Sequence, residues 1–213
     1  MTASPELPRL HVVTDGAVLG DGDFLARARD LLAAHGAAVA LHLRGHGVAG
    51  GMLYRLAREL MPVAASAGAS LFINDRVDIA LAVAPTGVVL GRRSIPLECA
   101  RRLLGSRTRL GYSAHAAEEA ASAGEGGADF VVFGHVYATA SHPGRRPAGV
   151  SRLRDAVAAA TVPVVAIGGV TPARVRAVLA AGAHAVAVLS GVWQDPDPVA
   201  AAGRYREVLW EKG

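Results

Sequence analysis

The chain has 213 residues, of which 52% are hydrophobic and 19% are charged, and its formal net charge is +4. This length and apolar content suit one domain with a large core, spanning residues 1–213. The single cysteine, Cys99, excludes an intramolecular disulfide framework and a cysteine-built zinc site, and it suits a reducing cytoplasm. No apolar run reaches the roughly 18 residues of a membrane span. The N-terminal stretch MTASPELPRL lacks the pattern of a signal peptide.

The basic residues are nearly all arginines scattered along predicted helices, without a block of like charges. This distribution predicts solvated helix faces, so neither nucleic acid nor membrane is expected as a partner. Lys212 is the only lysine and lies next to the last residue, which argues against Schiff-base chemistry.

Short apolar runs rich in β-branched residues alternate with alanine- and arginine-rich stretches of helical spacing. The runs predict strands at 10–14, 38–43, 70–73, 87–90, 109–113, 130–133, 163–167 and 185–190. Thr171 and Pro172 suit the N-cap and first position of the helix after the seventh strand. Eight strand–helix units predict a single-domain (β/α)₈ TIM barrel. A doubly wound open sheet is disfavoured, because no glycine-rich fingerprint follows the first strand.

In this fold the active site lies at the C-terminal ends of the strands, so the residues there are candidates. Four residues after the last two strands are predicted to bind phosphate, because glycine lets backbone N–H groups approach oxygen atoms: Gly168, Gly169, Ser190 and Gly191. The other strand ends bring polar side chains to the mouth: His42, Arg44, Asn74, Asp75, Ser113, His135 and Thr139. The remaining histidines of the strand and helix interiors are expected to be packed or solvated: His11, His35, His115 and His184.

The stretches VTD, HLR, INDRVDIAL, GADFVVFGHVY, VPVVAIGGVTP and GAHAVAVLSGV resemble, in order and spacing, the thiamine phosphate synthase / TenI superfamily. The synthase branch joins a pyrimidine diphosphate to a thiazole phosphate with magnesium. Its pattern has Gln-Leu-Arg-x-Lys after strand 2, an acid after strand 4, and proline and lysine after strand 6. Here the first stretch begins with His42 and ends with His46, Ser94 replaces the acid, and His135 and His142 replace proline and lysine.

FGHVY, LHLR and LSGVW resemble the TenI branch instead, and this resemblance implies a thiazole tautomerase. Such an isomerase aromatises a carboxythiazole phosphate that has an exocyclic double bond, with no cofactor and no metal. The resemblance implies His135 as the acid–base group, since histidine exchanges a proton near neutral pH. It also suggests a cytoplasmic homodimer whose ligand is a small thiazole phosphate. The substrate-binding candidates at the mouth are then Arg44, His42, Asn74, Ser113 and Thr139.

Two alternatives remain open at this point. One is a divergent thiamine phosphate synthase, although Asp75 alone is a poor magnesium cage. The other is a non-catalytic regulatory protein that binds thiazole phosphate or thiamine phosphate. No helix-turn-helix unit outside the barrel supports DNA binding.

Overall fold

The protein is a closed barrel of eight parallel strands. The computed structural model describes residues 6–141 and 143–211, so His142 and Lys212, both named above, lie outside the described residues. The strands follow one another around the barrel in chain order, and the first closes the ring by pairing with the last, Leu10 opposite Val186. The strands are β1 (Leu10–Val13), β2 (Val39–Leu43), β3 (Ser70–Asn74), β4 (Gly87–Leu90), β5 (Arg109–Ala114), β6 (Phe130–Gly134), β7 (Val164–Ile167) and β8 (Ala185–Val188).

Helices cover the outside of the barrel and follow every strand. They are α1 (Gly16–Gly20), α2 (Phe24–His35), α3 (Gly50–Ala67), α4 (Val77–Val83), α5 (Leu97–Leu104), α6 (Ala117–Glu125), α7 (Gly149–Ala159), α8 (Pro172–Ala180), α9 (Ser190–Trp193) and α10 (Pro198–Trp210). The predicted TIM barrel is confirmed. Within the described residues, no helix combines the length and apolar character needed to cross a bilayer.

The strands are buried on both faces, as a parallel sheet covered by helices requires. Every residue of β1, β2, β4, β6 and β8 is buried. Inside the barrel, the rings of Phe72 and Phe130 pack edge to face with centroids 5.4 Å apart. Gly87 and Gly111 make room for them, because a Cβ at either position would lie 2.4 Å from the neighbouring ring. The centre of the barrel is therefore a packed core, and the space for a ligand lies at its mouth.

The observed strands agree with the predicted ones to within two residues at either end. Thr171 precedes α8 with an extended backbone and Pro172 follows in the first turn, as predicted. The Thr171 side chain makes no capping hydrogen bond, however. The start of α8 thus depends on the restricted φ angle of proline, which suits the first helical position.

Candidate active site

The C-terminal ends of the strands surround two adjoining pockets. The apolar pocket has a volume of about 120 Å³, and much of its surface comes from Val13, Val89, Val132, Ile167 and Val188. The arginine pocket has a volume of about 690 Å³ and contains Arg44, Arg92, Arg93 and Arg145. A shared wall separates the two pockets and includes Arg44, Asn74, Ser113 and His115. The two pockets therefore lie side by side at the mouth of the barrel.

Thr14, from the VTD stretch, fixes the end of β2. Its Oγ1 accepts a hydrogen bond from the Arg44 backbone N at 2.9 Å and donates to the Arg44 carbonyl O at 2.9 Å. The Arg44 side chain enters the shared wall, where burial lowers the pKa of its guanidinium while Asp75 opposes this. Arg44 Nη2 lies 2.7 Å from His46 Nε2. Burial first, and then the Arg44 charge, lower the pKa of His46, so its neutral ring accepts this hydrogen bond.

Two buried histidines lie below the apolar pocket. His42 lines the pocket, and His11 lies one layer deeper in the barrel, with His11 Nδ1 2.7 Å from His42 Nε2. His11 Nε2 lies 2.9 Å from the Pro8 carbonyl O, and Phe72 stacks on the His42 ring with centroids 4.8 Å apart. Desolvation lowers the pKa of His11 well below its ordinary value and that of His42 to about 3. Both rings are therefore neutral at physiological pH.

Asn74 and Asp75 follow the buried part of β3 and face the two pockets differently. Asn74 lines both pockets, and its Oδ1 is buried without a hydrogen-bond partner among the described residues. Asp75 lies only in the arginine pocket and has a φ of 64°. Ser94 Oγ donates a hydrogen bond to Asp75 Oδ1 at 2.6 Å and accepts one from the Gly91 N at 3.0 Å. Ser94 thus orients the carboxylate of Asp75.

The arginine pocket is strongly positive. Among the described residues that line it, Asp75 is the one carboxylate, against four arginines. Arg92 Nε donates to Glu119 Oε1 at 2.8 Å, which offsets part of its charge. A cleft lined by one sign of charge concentrates ligands of the opposite sign. The pocket is suited to an anion with several charges.

The end of β6 contributes His135 to the apolar pocket, immediately after a cis peptide bond between Gly134 and His135. His115 Nδ1 lies 2.6 Å from the Gly134 carbonyl O. A carbonyl only accepts, so His115 Nδ1 donates this hydrogen bond. His135 Nε2 lies 3.4 Å from the Arg145 carbonyl O. The loop after β6 therefore folds back so that Arg145 lies beside His135, and Thr139 also lines the apolar pocket.

The two glycines after β7 line the apolar pocket and pack closely against the loop after β6. Gly168 and Gly169 have φ angles of 99° and 62°, and a Cβ at Gly169 would lie 2.4 Å from the Ala138 carbonyl O. Arg174 Nη1 donates to the Gly169 carbonyl O at 2.6 Å, and its guanidinium lies 4.6 Å from the Tyr137 ring centroid. These glycines are needed for loop packing whether or not a phosphate binds.

Ser190 and Gly191 begin α9 and lie outside the lining of both pockets, which after β8 reaches only as far as Leu189. A Cβ at Gly191 would lie 2.1 Å from the Tyr205 hydroxyl. That hydroxyl donates to the Val170 carbonyl O at 3.1 Å. Packing against α10 therefore accounts for glycine at position 191, and the structure does not bring these two residues together with the other candidates.

The other predicted site residues meet at the apolar pocket: His42, Arg44, Asn74, Ser113, His135, Thr139, Gly168 and Gly169. Sequence reasoning missed His115, Arg92 and Arg93. Arg92 and Arg93 follow β4 almost directly, so the strand-end rule that found Asn74 would also have found them. His115 lies two residues beyond Ser113 and shares its side of the strand end.

Comparison with known proteins identifies the family. The family model described as thiamine monophosphate synthase matches residues 10–192. The chain belongs to the thiamine monophosphate synthase family. It is similar to the thiamine-phosphate synthase of Methanoregula boonei, with 42% identity over 199 residues that cover 93% of this chain and 91% of the relative. The thiamine-phosphate synthase of Salinibacter ruber is 41% identical over 212 residues, which cover 97% of this chain and 91% of the relative.

The fold agrees with this membership of the thiamine monophosphate synthase family. A solved structure of thiamine phosphate pyrophosphorylase from Pyrococcus furiosus superposes with a TM-score of 0.82 and 31% identity, covering 98% of each chain. The two chains therefore share the barrel over nearly their whole length.

The expectation of a TenI-type thiazole tautomerase, an isomerase, is wrong. The relatives at about 40% identity over most of the chain are named thiamine-phosphate synthases, which are transferases. The tautomerase prediction took the replacement of single lysine and acid positions as evidence that the synthase reaction had been lost. It overlooked Arg92 and Arg93, which bring positive charge to the same mouth from the loop after β4.

The resemblance to the synthase branch implies magnesium, and the described side chains that line the arginine pocket offer that ion a single carboxylate, Asp75. Mg²⁺ in proteins is held by one or two carboxylates together with substrate phosphates and water. Here one oxygen of Asp75 already accepts from Ser94, and the surrounding side chains are guanidinium groups. No group of three histidines, cysteines or acids that could bind a metal occurs within residues 6–141 and 143–211.

Proposed function

We propose that this chain is a thiamine-phosphate synthase, a transferase that joins a pyrimidine diphosphate to a thiazole phosphate and releases diphosphate. The observation that carries the proposal is the arginine pocket, which adjoins the apolar pocket across a shared wall. The leaving group carries several negative charges and needs a positively charged pocket, whereas the two flat rings need an apolar one. The reaction therefore requires both pockets side by side. The names of the relatives support the same activity.

The diphosphate would bind in the arginine pocket. The guanidinium groups of Arg44, Arg93 and Arg145 present several N–H donors, which suit phosphate oxygens in paired hydrogen bonds. Negative charge grows on the leaving group as its bond to carbon breaks, and pre-positioned cations stabilise that charge. Arginines would therefore neutralise the leaving group here, and no step of the proposal requires a metal held by the chain.

The rings would meet in the apolar pocket. The thiazole nitrogen forms a bond to the methylene carbon of the pyrimidine, and the bond from that carbon to the diphosphate oxygen breaks. The electron pair of the broken bond leaves with the diphosphate, so atoms and charges balance. An apolar lining that includes Val89, Val132 and Ile167 excludes water, which would otherwise compete for the same carbon.

The thiazole phosphate would lie near the backbone amides of Gly168 and Gly169, close to the N-terminus of α8. We propose contacts to the substrates for His135, Thr139 and Ser113, since all three line the apolar pocket. The coupling moves no proton between carbon atoms, so an acid–base role for His135 is not needed. Its ring would position the thiazole.

The test is direct. Purified protein is mixed with the pyrimidine diphosphate and the thiazole phosphate, and thiamine phosphate is measured by chromatography together with released diphosphate. Formation of both in equal amounts supports the proposal. Binding of the thiazole phosphate without any product would overturn it and leave a non-catalytic binding protein.

We also propose that the protein is a homodimer, as its family resemblance suggests. Sedimentation velocity at several protein concentrations measures this separately from activity. A single species with the mass of one chain at all concentrations would contradict it.

A further inference from the structure

His115 follows β5 directly and lies where the two pockets meet. Among the described residues, five line both the apolar pocket and the arginine pocket: Arg44, Asn74, Val89, Ser113 and His115. Of these five side chains, only the histidine exchanges a proton readily near neutral pH. The reaction described above does not use it.

Two hydrogen bonds fix the position of His115. Its backbone N donates to Glu119 Oε2 at 2.7 Å, and its ring Nδ1 donates to the Gly134 carbonyl O at 2.6 Å. Glu119 is held in turn by Arg92, whose Nε donates to Oε1 at 2.8 Å. The ring is therefore anchored between the start of α6 and the end of β6. These bonds leave Nε2 unused.

This anchoring is compatible with a second proton on the ring. The Gly134 carbonyl accepts from Nδ1–H whether the ring is neutral or charged, so protonation of Nε2 breaks no existing hydrogen bond. Burial raises the pKa of Glu119, but its hydrogen bond with Arg92 first, and the charge of His115 in part, lower that pKa overall. Glu119 is thus ionised, and its charge stabilises a protonated His115.

Charges of both signs surround the ring from the neighbouring elements. Five arginines oppose its protonation, four in the arginine pocket and one in a third cavity of about 300 Å³ beside α7: Arg44, Arg92, Arg93, Arg145 and Arg152. Four carboxylates favour it: Asp75, Glu118, Glu119 and Asp155. Three further histidines share the two pockets: His42, His46 and His135. A bound diphosphate adds several negative charges and therefore favours the charged ring.

We infer that His115 is a further catalytic residue, which donates a proton from Nε2 to the leaving diphosphate. The inference rests on the proposed function, in which the rings occupy the apolar pocket and the diphosphate occupies the arginine pocket. The oxygen that joins the methylene carbon to the diphosphate would then lie at the border of the two pockets, and His115 lines both sides of that border.

The proton is part of a balanced set of bond changes. The bond from the methylene carbon to the bridging oxygen breaks, and its electron pair stays on the oxygen. That oxygen takes the proton from His115 Nε2, while the thiazole nitrogen forms the new bond to the carbon. The ring is left neutral and takes a proton from water before the next turnover. A general acid in this position stabilises the charge that develops on the leaving oxygen.

His115→Asn separates this role from anchoring. The amide N–H of asparagine can replace Nδ1 as the donor to Gly134, but nothing replaces the proton of Nε2. With both substrates saturating, kcat for thiamine phosphate formation should fall about 10²-fold, whereas the Kd for inorganic diphosphate should change less than about threefold. If His115 only anchored β6, asparagine would rescue it. A fall in kcat of less than about fivefold would overturn the inference.

The pH dependence of kcat is a second measurement, and it begins with the parent protein. Because the donor must be protonated, the parent kcat should fall as the pH is raised from about 6 to about 9, and this fall should disappear in His115→Asn. His184→Asn is the matched control. The His184 ring also contacts a backbone carbonyl, with Nε2 3.0 Å from the Leu7 O, but it precedes β8 at the opposite end of the barrel. This control should keep both the kcat and the pH dependence of the parent.

The outcomes separate the inference from the proposed function. A parent kcat that does not fall with rising pH would overturn the inference even if His115→Asn does not fold. The same fall in the parent and in His115→Asn would also overturn it, and the protein would remain a synthase. A parent that forms no thiamine phosphate at any pH would contradict the proposed function and, with it, the inference.

Discussion

Arg93 is a single exposed side chain that lines the candidate site although its arginine-rich sequence context favours a solvated position. It lies in an arginine-rich stretch after β4, where solvated arginines are the usual expectation. The barrel turns that stretch towards the mouth, and Arg93 lines the arginine pocket beside Arg44 and Asp75. Its charge is close enough to lower the pKa of Arg44, together with the larger effect of burial.

Arg93→Gln should weaken the binding of inorganic diphosphate about fivefold to tenfold, because it removes one charge-assisted donor at a partly screened position. Calorimetric titration with inorganic diphosphate measures this. Arg55→Gln is the matched control, since Arg55 is an exposed arginine on α3 that lines neither pocket. Equal losses of diphosphate affinity in the two variants would show that the net charge of the protein, and not the position of Arg93, determines binding.

The buried pair His11 and His42 makes stability depend on pH. The folded-state pKa of His42 is lowered to about 3 by desolvation, whereas in the unfolded chain a histidine binds a proton below about pH 6.5. The unfolded state therefore binds more protons between these values, and the free energy of unfolding falls as the pH is lowered through this range.

Between pH 7 and about pH 5 the His42 ring alone should lower the free energy of unfolding by about 2 kcal/mol. Urea unfolding at the two pH values measures the change in the parent and in His42→Gln. The variant should lose less stability on acidification than the parent by about that amount. The same loss in both proteins would mean that other groups cause the acid sensitivity.

Single residues at strand ends could be predicted only in part. Asn74, Ser113 and His135 were found because a polar residue that ends a buried strand must lie at the mouth of the barrel. His115 was expected to be packed or solvated, yet it lies at the mouth and donates to the Gly134 carbonyl. The hydrogen bond between His11 and His42 could not be predicted, because it joins residues that are far apart in the chain.

At the scale of secondary structure, the loop after β7 is shaped by its neighbour, the loop after β6. Gly168 and Gly169 were predicted from their possible contact with phosphate. The structure shows that Gly169 lies against Ala138 and Tyr137, with a backbone conformation that favours glycine. A phosphate bound here, as proposed, would meet a pair of loops that already fit together tightly.

Gly169→Ala should lower the free energy of unfolding by more than about 2 kcal/mol, since it adds a steric clash to an unfavourable positive φ. Gly47→Ala is the control, because Gly47 also has a positive φ of 79° but open space around its Cβ position. It should lose only about 1 kcal/mol. Thermal unfolding compares them, at roughly 2–4 °C per kcal/mol for a chain of this size. Equal losses of stability in the two variants would indicate that the positive φ angle alone causes them.

In the proposed reaction, the loops after β3 and β4 would determine how the charge of diphosphate is neutralised. They bring one carboxylate, Asp75, and two arginines, Arg92 and Arg93, to the same pocket. Binding of inorganic diphosphate should therefore persist in EDTA, with an affinity within about threefold of that measured with Mg²⁺. Calorimetry in the two buffers measures this. Binding that disappears on chelation and returns with Mg²⁺ would contradict the assignment of the charge to arginines.

The strands were the most predictable elements, and the relation between loops was the least. A run such as FVVF, buried on both faces, has few conformations open to it other than a covered parallel strand. The loops after β6 and β7 have no such repeating pattern. Their contacts, such as Gly169 with Ala138, exist only once the barrel has closed.

At the scale of the whole molecule, closure of the barrel joins the first strand to the last. β1 and β8 pair over Leu10–Val12 and Val186–Val188, and Trp193 Nε1 donates to the Val13 carbonyl O at 3.0 Å. The family membership of residues 10–192 spans the same closed unit. A fragment that lacks one strand of this unit would have two strand edges without a hydrogen-bonded partner.

A chain ending at His184 should therefore fail to unfold cooperatively, because β1 and β7 would each lose a partner strand. A chain ending at Trp210 is the control and should unfold like the parent, since it retains β8 and α10. Circular dichroism during urea unfolding compares the two. A sharp transition in the shorter chain would mean that the open sheet is stable by itself.

The pairing of β1 with β8 also constrains events during protein synthesis. The ribosome releases β1 first, and its partner Val186 emerges only after most of the chain has been made. Throughout that interval the growing sheet has two exposed edges that can pair with other nascent chains. Slow codons after β8 would give no benefit, whereas faster translation through α7, β7 and α8 would shorten the vulnerable period. The yield of folded protein should thus depend on elongation rate in the last third of the message more than in the first.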